Sequence, residues 1–181
     1  TEEFKVDLND RPVAPEPYDL LPTVPSFTVI SDEFEDGEPI PTMFAGDGED
    51  LSPSLKWSGF PEETKSFLIS CFDPDAPTPA GFWHWTAVNV PSDVTELSVG
   101  AGTSNEALPE GAFHIRNDGS ALSYMGPLPP EGDRPHRYIF AVHALDVEEL
   151  PLTEEDSPTK AAFTALFHTL SRGTVTGTYQ R

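Results

Sequence analysis

The sequence predicts an all-β domain, a β-sandwich carrying one principal C-terminal helix. Three observations point there. Twenty prolines and thirteen glycines in 181 residues call for many turns and few long helices. Three runs, residues 65–73 (KSFLISCFD), 82–90 (FWHWTAVNV) and 137–146 (RYIFAVHALD), are nearly apolar on both faces, as central strands of a layered core are. Only one segment combines helix-start signals with a 3.6-residue apolar period.

Taken in order, residues 1–25 are acidic, proline-rich and weakly patterned. They read as an N-terminal extension, either an arm wrapped on the domain or a partly mobile segment. The domain proper is expected over 26–181. It opens with a strand at 26–30 (SFTVI), followed by acidic loops over 31–50 around a short strand at TMF, 42–44. The three apolar runs follow, each bounded by proline, glycine or acidic residues. Ser157 as N-cap and Pro158 at the first position start the helix. Phe163, Leu166, Phe167 and Leu170 supply its apolar stripe, and Gly173 falls where a C-terminal cap belongs. A strand at 174–179 (TVTGTY) closes the chain.

Composition excludes several functions. Acids outnumber bases 31 to 10, for a net charge of −21. Such a field repels nucleic acid and anionic headgroups. Salt shortens the range of self-repulsion to ~3 Å at 1 M, so this lysine-poor surface reads as adaptation to brine. The one cysteine, Cys71, permits no intrachain disulfide and is expected to be a small buried hydrophobe. No apolar run reaches transmembrane length, and the expectation is a soluble cytoplasmic protein without integral membrane association.

Polar chemistry concentrates in DPDAPTPAGFWHW, residues 73–85, and GPLPPEGDRPHRY, residues 126–138. Strand alternation puts Asp73 on one face with Phe67, Ile69 and Cys71. It puts His84 with Phe82, Thr86, Val88 and Val90, and His136 and Tyr138 with Phe140 and Val142. Polar groups that extend apolar rows need partners or a pocket. Pro74, Pro77 and Pro79 stiffen the turn that holds Asp75 beside Asp73, and leave the Ala76–Pro77 isomer open. Two such loops, each feeding a histidine into a buried strand, point to one joint site. It suits anion capture: imidazoles donate to phosphate or carboxylate, aspartates raise their pKa and orient them, and an indole face holds an ammonium group. A zwitterion with phosphate and amine would satisfy all of these groups.

These two motifs, with LSPSLKWSGFPEETKSFLISCFDPDAP (51–77), resemble the phosphatidylethanolamine-binding protein family in its bacterial and archaeal Raf-kinase-inhibitor-like branch. The resemblance implies two antiparallel sheets packed face to face with Greek-key-like connections, and an anion pocket at one end. It places the pocket on Asp73, Asp75, His84, His136 and Tyr138, with Pro77, Trp83, Gly126 and Pro127 shaping its walls. His84 and His136 are expected to donate to the anion while Asp73 and Asp75 fix their rings. The resemblance also implies a non-enzymatic protein without cofactor or metal, a homodimer, and a kinase or serine protease as partner. The chain departs from the family over 117–126, where NDGSALSYMG replaces a pattern close to NDFG followed by GYGG.

The rival function is a hydrolase using the Asp/His pocket, with or without a metal. The sequence offers no H-x-x-x-H or cysteine pair and no G-x-S-x-G elbow around Ser123 or Ser104. Elsewhere His143 and His168 read as structural and His114 as a surface or rim residue. Trp57 and Trp85 read as core.

Overall fold

The structure is a computed structural model, described for residues 6–181. Strands β1 (Thr28–Ile30), β2 (Leu55–Ser58) and β5 (Glu96–Leu97) form a small antiparallel sheet in the order β1-β2-β5. Strands β3 (Ser66–Asp73), β4 (Phe82–Pro91), β6 (Phe113–His114), β7 (His136–Leu145) and β8 (Thr169–Tyr179) form a larger one. Its order is β6-β4-β3-β7-β8, all neighbours antiparallel. The three apolar runs are therefore the three middle strands. Their backbone groups are paired on both edges, so both faces can be covered.

The front face of the large sheet packs on the small sheet. Phe67, Ile69, Cys71, Trp85, Phe140 and Val142 meet Val29, Leu55, Trp57 and Leu97 in one buried cluster. The back face carries a second cluster, Leu68, Val88, Ile115 and Leu145, against Ala161 and Ala165 of the helix α1 (Pro158–Leu166). The result is a sandwich with a helical third layer.

Local chemistry explains where the expectations held and where they did not. Ser157 caps α1 as anticipated, its hydroxyl accepting from the Lys160 N–H at 3.0 Å. The helix stops at Leu166, however, because pairing with β7 draws residues 169–179 into β8. Leu170 and Gly173 are thus strand residues. Gly173 is needed for close approach: a Cβ there would sit 2.5 Å from the Phe27 carbonyl oxygen. The helix buries its alanines, leaving Phe163 and Phe167 at 64% and 69% exposure. Residues Thr42–Phe44 form a 3-10 turn between Pro41 and Gly46 instead of a strand. Strand β2 and the two-residue strands β5 and β6 were not anticipated.

Strand β4 departs from simple alternation. Phe67 pairs Val90 while Ile69 pairs Ala87, and Cys71 pairs Trp85 while Phe72 pairs Trp83. Each step adds one residue to β4, a β-bulge. At the second bulge His84 is the extra residue, so it faces front together with Trp85. Thr86 and Val88 consequently point to the back, correcting the uniform alternation expected for this strand.

Residues 6–25 lie on the domain through specific contacts. The Arg137 guanidinium donates to the Ala14 carbonyl at 2.7 Å, and Ser171 and Arg172 donate to the Pro25 carbonyl at 2.6 and 3.1 Å. No helix among the described residues is long and apolar enough to cross a membrane.

Candidate functional site

At one end of the front face, β3, β4 and β7 deliver Asp73, His84, His136 and Tyr138 to a single cavity of ≈ 210 Å³. Its remaining walls are mostly apolar, including Pro77, Phe82, Met125, Leu128 and Pro130. The two loops singled out in the sequence therefore meet at one cavity. The distribution of roles inside the site is different from that expected.

His136 is held by two carboxylates. Its Nδ1 donates to Asp73 Oδ2 at 2.7 Å and its Nε2 to Asp133 Oδ2 at 2.6 Å, all three side chains being buried. A ring that donates from both nitrogens is an imidazolium. Burial lowers its pKa, but the hydrogen bonds from Asp73 and Asp133 outweigh that and raise it. Both donors are occupied, so His136 has none left for a ligand. It orders the site, and the expected role of donor to a ligand does not fit it.

His84 is the reverse case. Its Nδ1 donates to the Met125 carbonyl at 2.6 Å, and its ring lies between Phe82 and Tyr138, with centroids 4.9 and 5.1 Å away. Burial lowers its pKa, leaving a neutral ring whose Nε2 has no protein partner among the described residues. A backbone carbonyl, not an aspartate, sets its orientation.

Asp73 Oδ1 accepts from the backbone N–H groups of Asp75 and Ala76 at 2.7 and 3.1 Å, which folds the turn back onto its own strand. Asp75 does not reach the cavity. Its carboxylate receives the Arg137 backbone N–H at 2.8 Å and a bidentate guanidinium grip at 2.9 Å for each bond. Burial raises the Asp75 pKa and Arg137 more than reverses it, holding it below the usual carboxylate range. Trp83 faces the back of the sheet, its ring tilted against that of Phe72 with centroids 4.5 Å apart. Gly126 and Pro127 stand behind the wall: a Cβ on Gly126 would meet the Phe44 carbonyl at 2.5 Å, and Pro127 accepts from the Gly46 N–H at 2.9 Å. The Ala76–Pro77 bond is trans.

Two site residues escaped sequence reasoning. Asp133, three positions before His136, was hidden inside a loop read only for its prolines; the D-x-x-H spacing was the available signal. Arg11 grips Asp133 through Nη1–Oδ1 and Nη2–Oδ2 contacts of 2.9 and 2.6 Å and donates to the Asp75 carbonyl at 2.8 Å. This bidentate hydrogen bonding holds the Asp133 pKa far below its ordinary value. Nothing local to residue 11 announces that role. The network thus sets Asp73, Asp75 and Asp133 against Arg11, Arg137 and the His136 imidazolium, and its formal charges cancel.

The rim segment 117–126 runs along β4. Asp118 exchanges hydrogen bonds with Trp83, and the Met125 N–H donates to the His84 carbonyl at 2.9 Å. Two of its departures from the family pattern, Gly119 and Met125, are coupled. A side chain at Gly119 would place Cβ 2.6 Å from Met125 Sδ, so the methionine fills space that a larger residue 119 would need. Among the other histidines, His114 is fully buried: Trp85 Nε1 donates to its Nε2 at 2.9 Å, and its Nδ1 donates to Asn105. That corrects its expected place at the surface. His143 and His168 make structural bonds, to Arg172 and Asp146.

Comparison with known proteins agrees with this geometry. The family model for phosphatidylethanolamine-binding protein matches residues 30–180. The chain is 41% identical to the UPF0098 protein YbhB of Escherichia coli K12 over 83% of its own length and 98% of that protein. It superimposes on the crystal structure of E. coli YbcL, described as a member of the mammalian PEBP family, with a TM-score of 0.83 at 41% identity. That match covers 86% of this chain and 99% of YbcL. A Chlamydia trachomatis homologue follows with a TM-score of 0.75 at 29% identity, over 86% of this chain and 98% of that one. The chain belongs to the phosphatidylethanolamine-binding protein family.

Proposed function

We propose that this protein is a non-catalytic binder of a small anion, a phosphate, phosphoethanolamine-like or carboxylate group. In this reading the occupied cavity forms part of a surface that regulates a kinase or serine protease. The carrying observation is the division of labour between the two histidines. His136 is saturated by carboxylates, whereas His84 offers an unpartnered Nε2 beside Tyr138 in an otherwise apolar cavity. A neutral imidazole accepts from a protonated phosphate oxygen, and a protonated one donates to an anionic oxygen. The protonated route takes up a proton on binding, so affinity by that route rises as pH falls, whereas the neutral route uses a proton that the ligand oxygen already carries. The same geometry removes His136 as a general base, since it donates to two carboxylates, so a hydrolytic reading would have to rest on His84.

The test is histidine ¹⁵N NMR during titration with phosphoethanolamine, with inorganic phosphate as the second arm. His84 Nε2 should shift by several ppm with saturation, and His136 should move little. Binding through the protonated ring should weaken as pH rises, and a pH-independent affinity would assign the neutral route. An unchanged His84 at millimolar ligand would remove the proposal, and turnover of an ester substrate abolished by His84→Ala would replace it with the hydrolase.

A further inference from the structure

The back face of the large sheet holds a second polar site with no part in the front cavity. Arg172, on β8, is 8% exposed and makes no salt bridge. Arg11 and Arg137, by contrast, each hold a carboxylate. Arg172 Nε donates to His143 Nδ1 at 3.1 Å, and its guanidinium carbon lies 4.5 Å above the Tyr18 ring. Its two Nη groups have no protein acceptor among the described residues.

The surroundings of Arg172 are also unusual. A cavity of ≈ 30 Å³ is lined by Arg172, Tyr18, Ser70, Thr86, His143 and Trp83, with apolar residues of α1 and Leu68 completing it. The hydroxyls of Tyr18, Ser70 and Thr86 are all buried, and none makes a hydrogen bond of normal geometry among the described residues, although Tyr18 and Ser70 lie close to one another. Only one further buried side-chain atom among the described residues shares that condition, Trp57 Nε1, in the front core. Three orphaned hydroxyls therefore converge on one small space with a guanidinium that has no carboxylate partner among the described residues and whose Nη groups are not fully buried. No carboxylate lines it, in a chain with 31 acids.

An unpaired buried charge costs several kcal/mol unless something neutralises it, and an unmade buried hydroxyl bond costs ~1–3. Water of this volume, one or two molecules, would satisfy hydroxyls but not the charge. A single anion satisfies both, because every polar group here can donate. The cavity is too small for phosphate with its oxygens. We infer that Arg172, Ser70, Thr86 and Tyr18 form a binding site for one monatomic halide, chloride in the class of ions available to a brine-adapted surface. Tyr18 belongs to the 3-10 turn Pro17–Leu20, so the halide also fastens residues 6–25 to the back of the sheet.

Bromide is the probe. Crystals grown in sodium bromide should show an anomalous peak within hydrogen-bond distance of Arg172 and of the Ser70 and Thr86 hydroxyls. In solution, replacing sodium glutamate by sodium bromide at fixed ionic strength should raise Tm by about 3 °C or more. Thr86→Val keeps the shape and the cation and should abolish most of that rise; Ser70→Ala should act in the same direction. Should either variant fail to fold, the wild-type anomalous peak still decides the matter. Water-like density without anomalous signal would overturn the inference and leave a hydration site. So would a bromide-induced rise in Tm that Thr86→Val leaves intact.

Discussion

The two faces of the large sheet treat buried charge in opposite ways. At the front, Asp73, His136, Asp133 and Arg11 form a chain in which carboxylate and cation alternate and the ring nitrogens of His136 are both used. At the back, Arg172 and three hydroxyls face a cavity with partners missing. Satisfied polar groups in a low-dielectric interior fix geometry, whereas unsatisfied ones mark places where something else completes the set. The front network is thus scaffold, and in the proposed reading recognition there falls to His84, whose Nε2 it leaves free. The same rule directs attention to the back cavity.

The comparison can be broken experimentally, and the largest effect belongs to the front. Asp133→Ala removes one carboxylate from a buried chain and strands both Arg11 and His136. Stability should fall by about 3–5 kcal/mol, measured by urea unfolding. An effect below about 1 kcal/mol would show that the network is not structural. A smaller change should come from pH. The His136 pKa is raised on folding, so its contribution is complete below its unfolded value of about 6.5 and is lost as pH rises through the folded value. Each unit of upward shift contributes about 1.4 kcal/mol. The urea midpoint should therefore decline on the alkaline side, and Asp133→Asn should flatten that decline. The smallest effect belongs to the back. In halide-free buffer Thr86→Val exchanges an unpartnered hydroxyl for a methyl of the same shape, which should raise stability by up to about 1 kcal/mol. A loss there instead would mean that Thr86 already has a partner, and the contrast between the faces would disappear.

Strand phase carried the sequence reading far on β3 and β7, where alternation is unbroken. Asp73 does continue the row of Phe67, Ile69 and Cys71, and His136 and Tyr138 do share a face with Phe140. It failed on β4 because a bulge is a property of the pair of strands, invisible in either alone. Two added residues carried Thr86 and Val88 to the back, where Thr86 became part of the second cavity. Asp75 was misassigned for a similar reason: its partner Arg137 sits one residue beyond His136, on the opposite face of β7, and the pair closes outside the cavity. The helix was readable at its start, where Ser157 and Pro158 act locally. Its end was set by β7, a long-range competitor, and the exposed Phe163 and Phe167 show that the helical stripe did not select the buried face.

The Arg11–Asp133 contact spans 122 positions of sequence, and the strands between them pair mostly with distant partners. Closing such loops costs entropy before any contact repays it, and topologies of this kind fold slowly. During synthesis Arg11 emerges long before Asp133 and His136 exist to receive it. The front cavity can therefore acquire its final charge balance only after most of the chain is made, and a nascent chain arrested before residue 133 would carry Arg11 and the Asp73–Asp75 turn without Asp133, His136 or Arg137. Assembly of the site is in this sense a checkpoint on completion of the sheet.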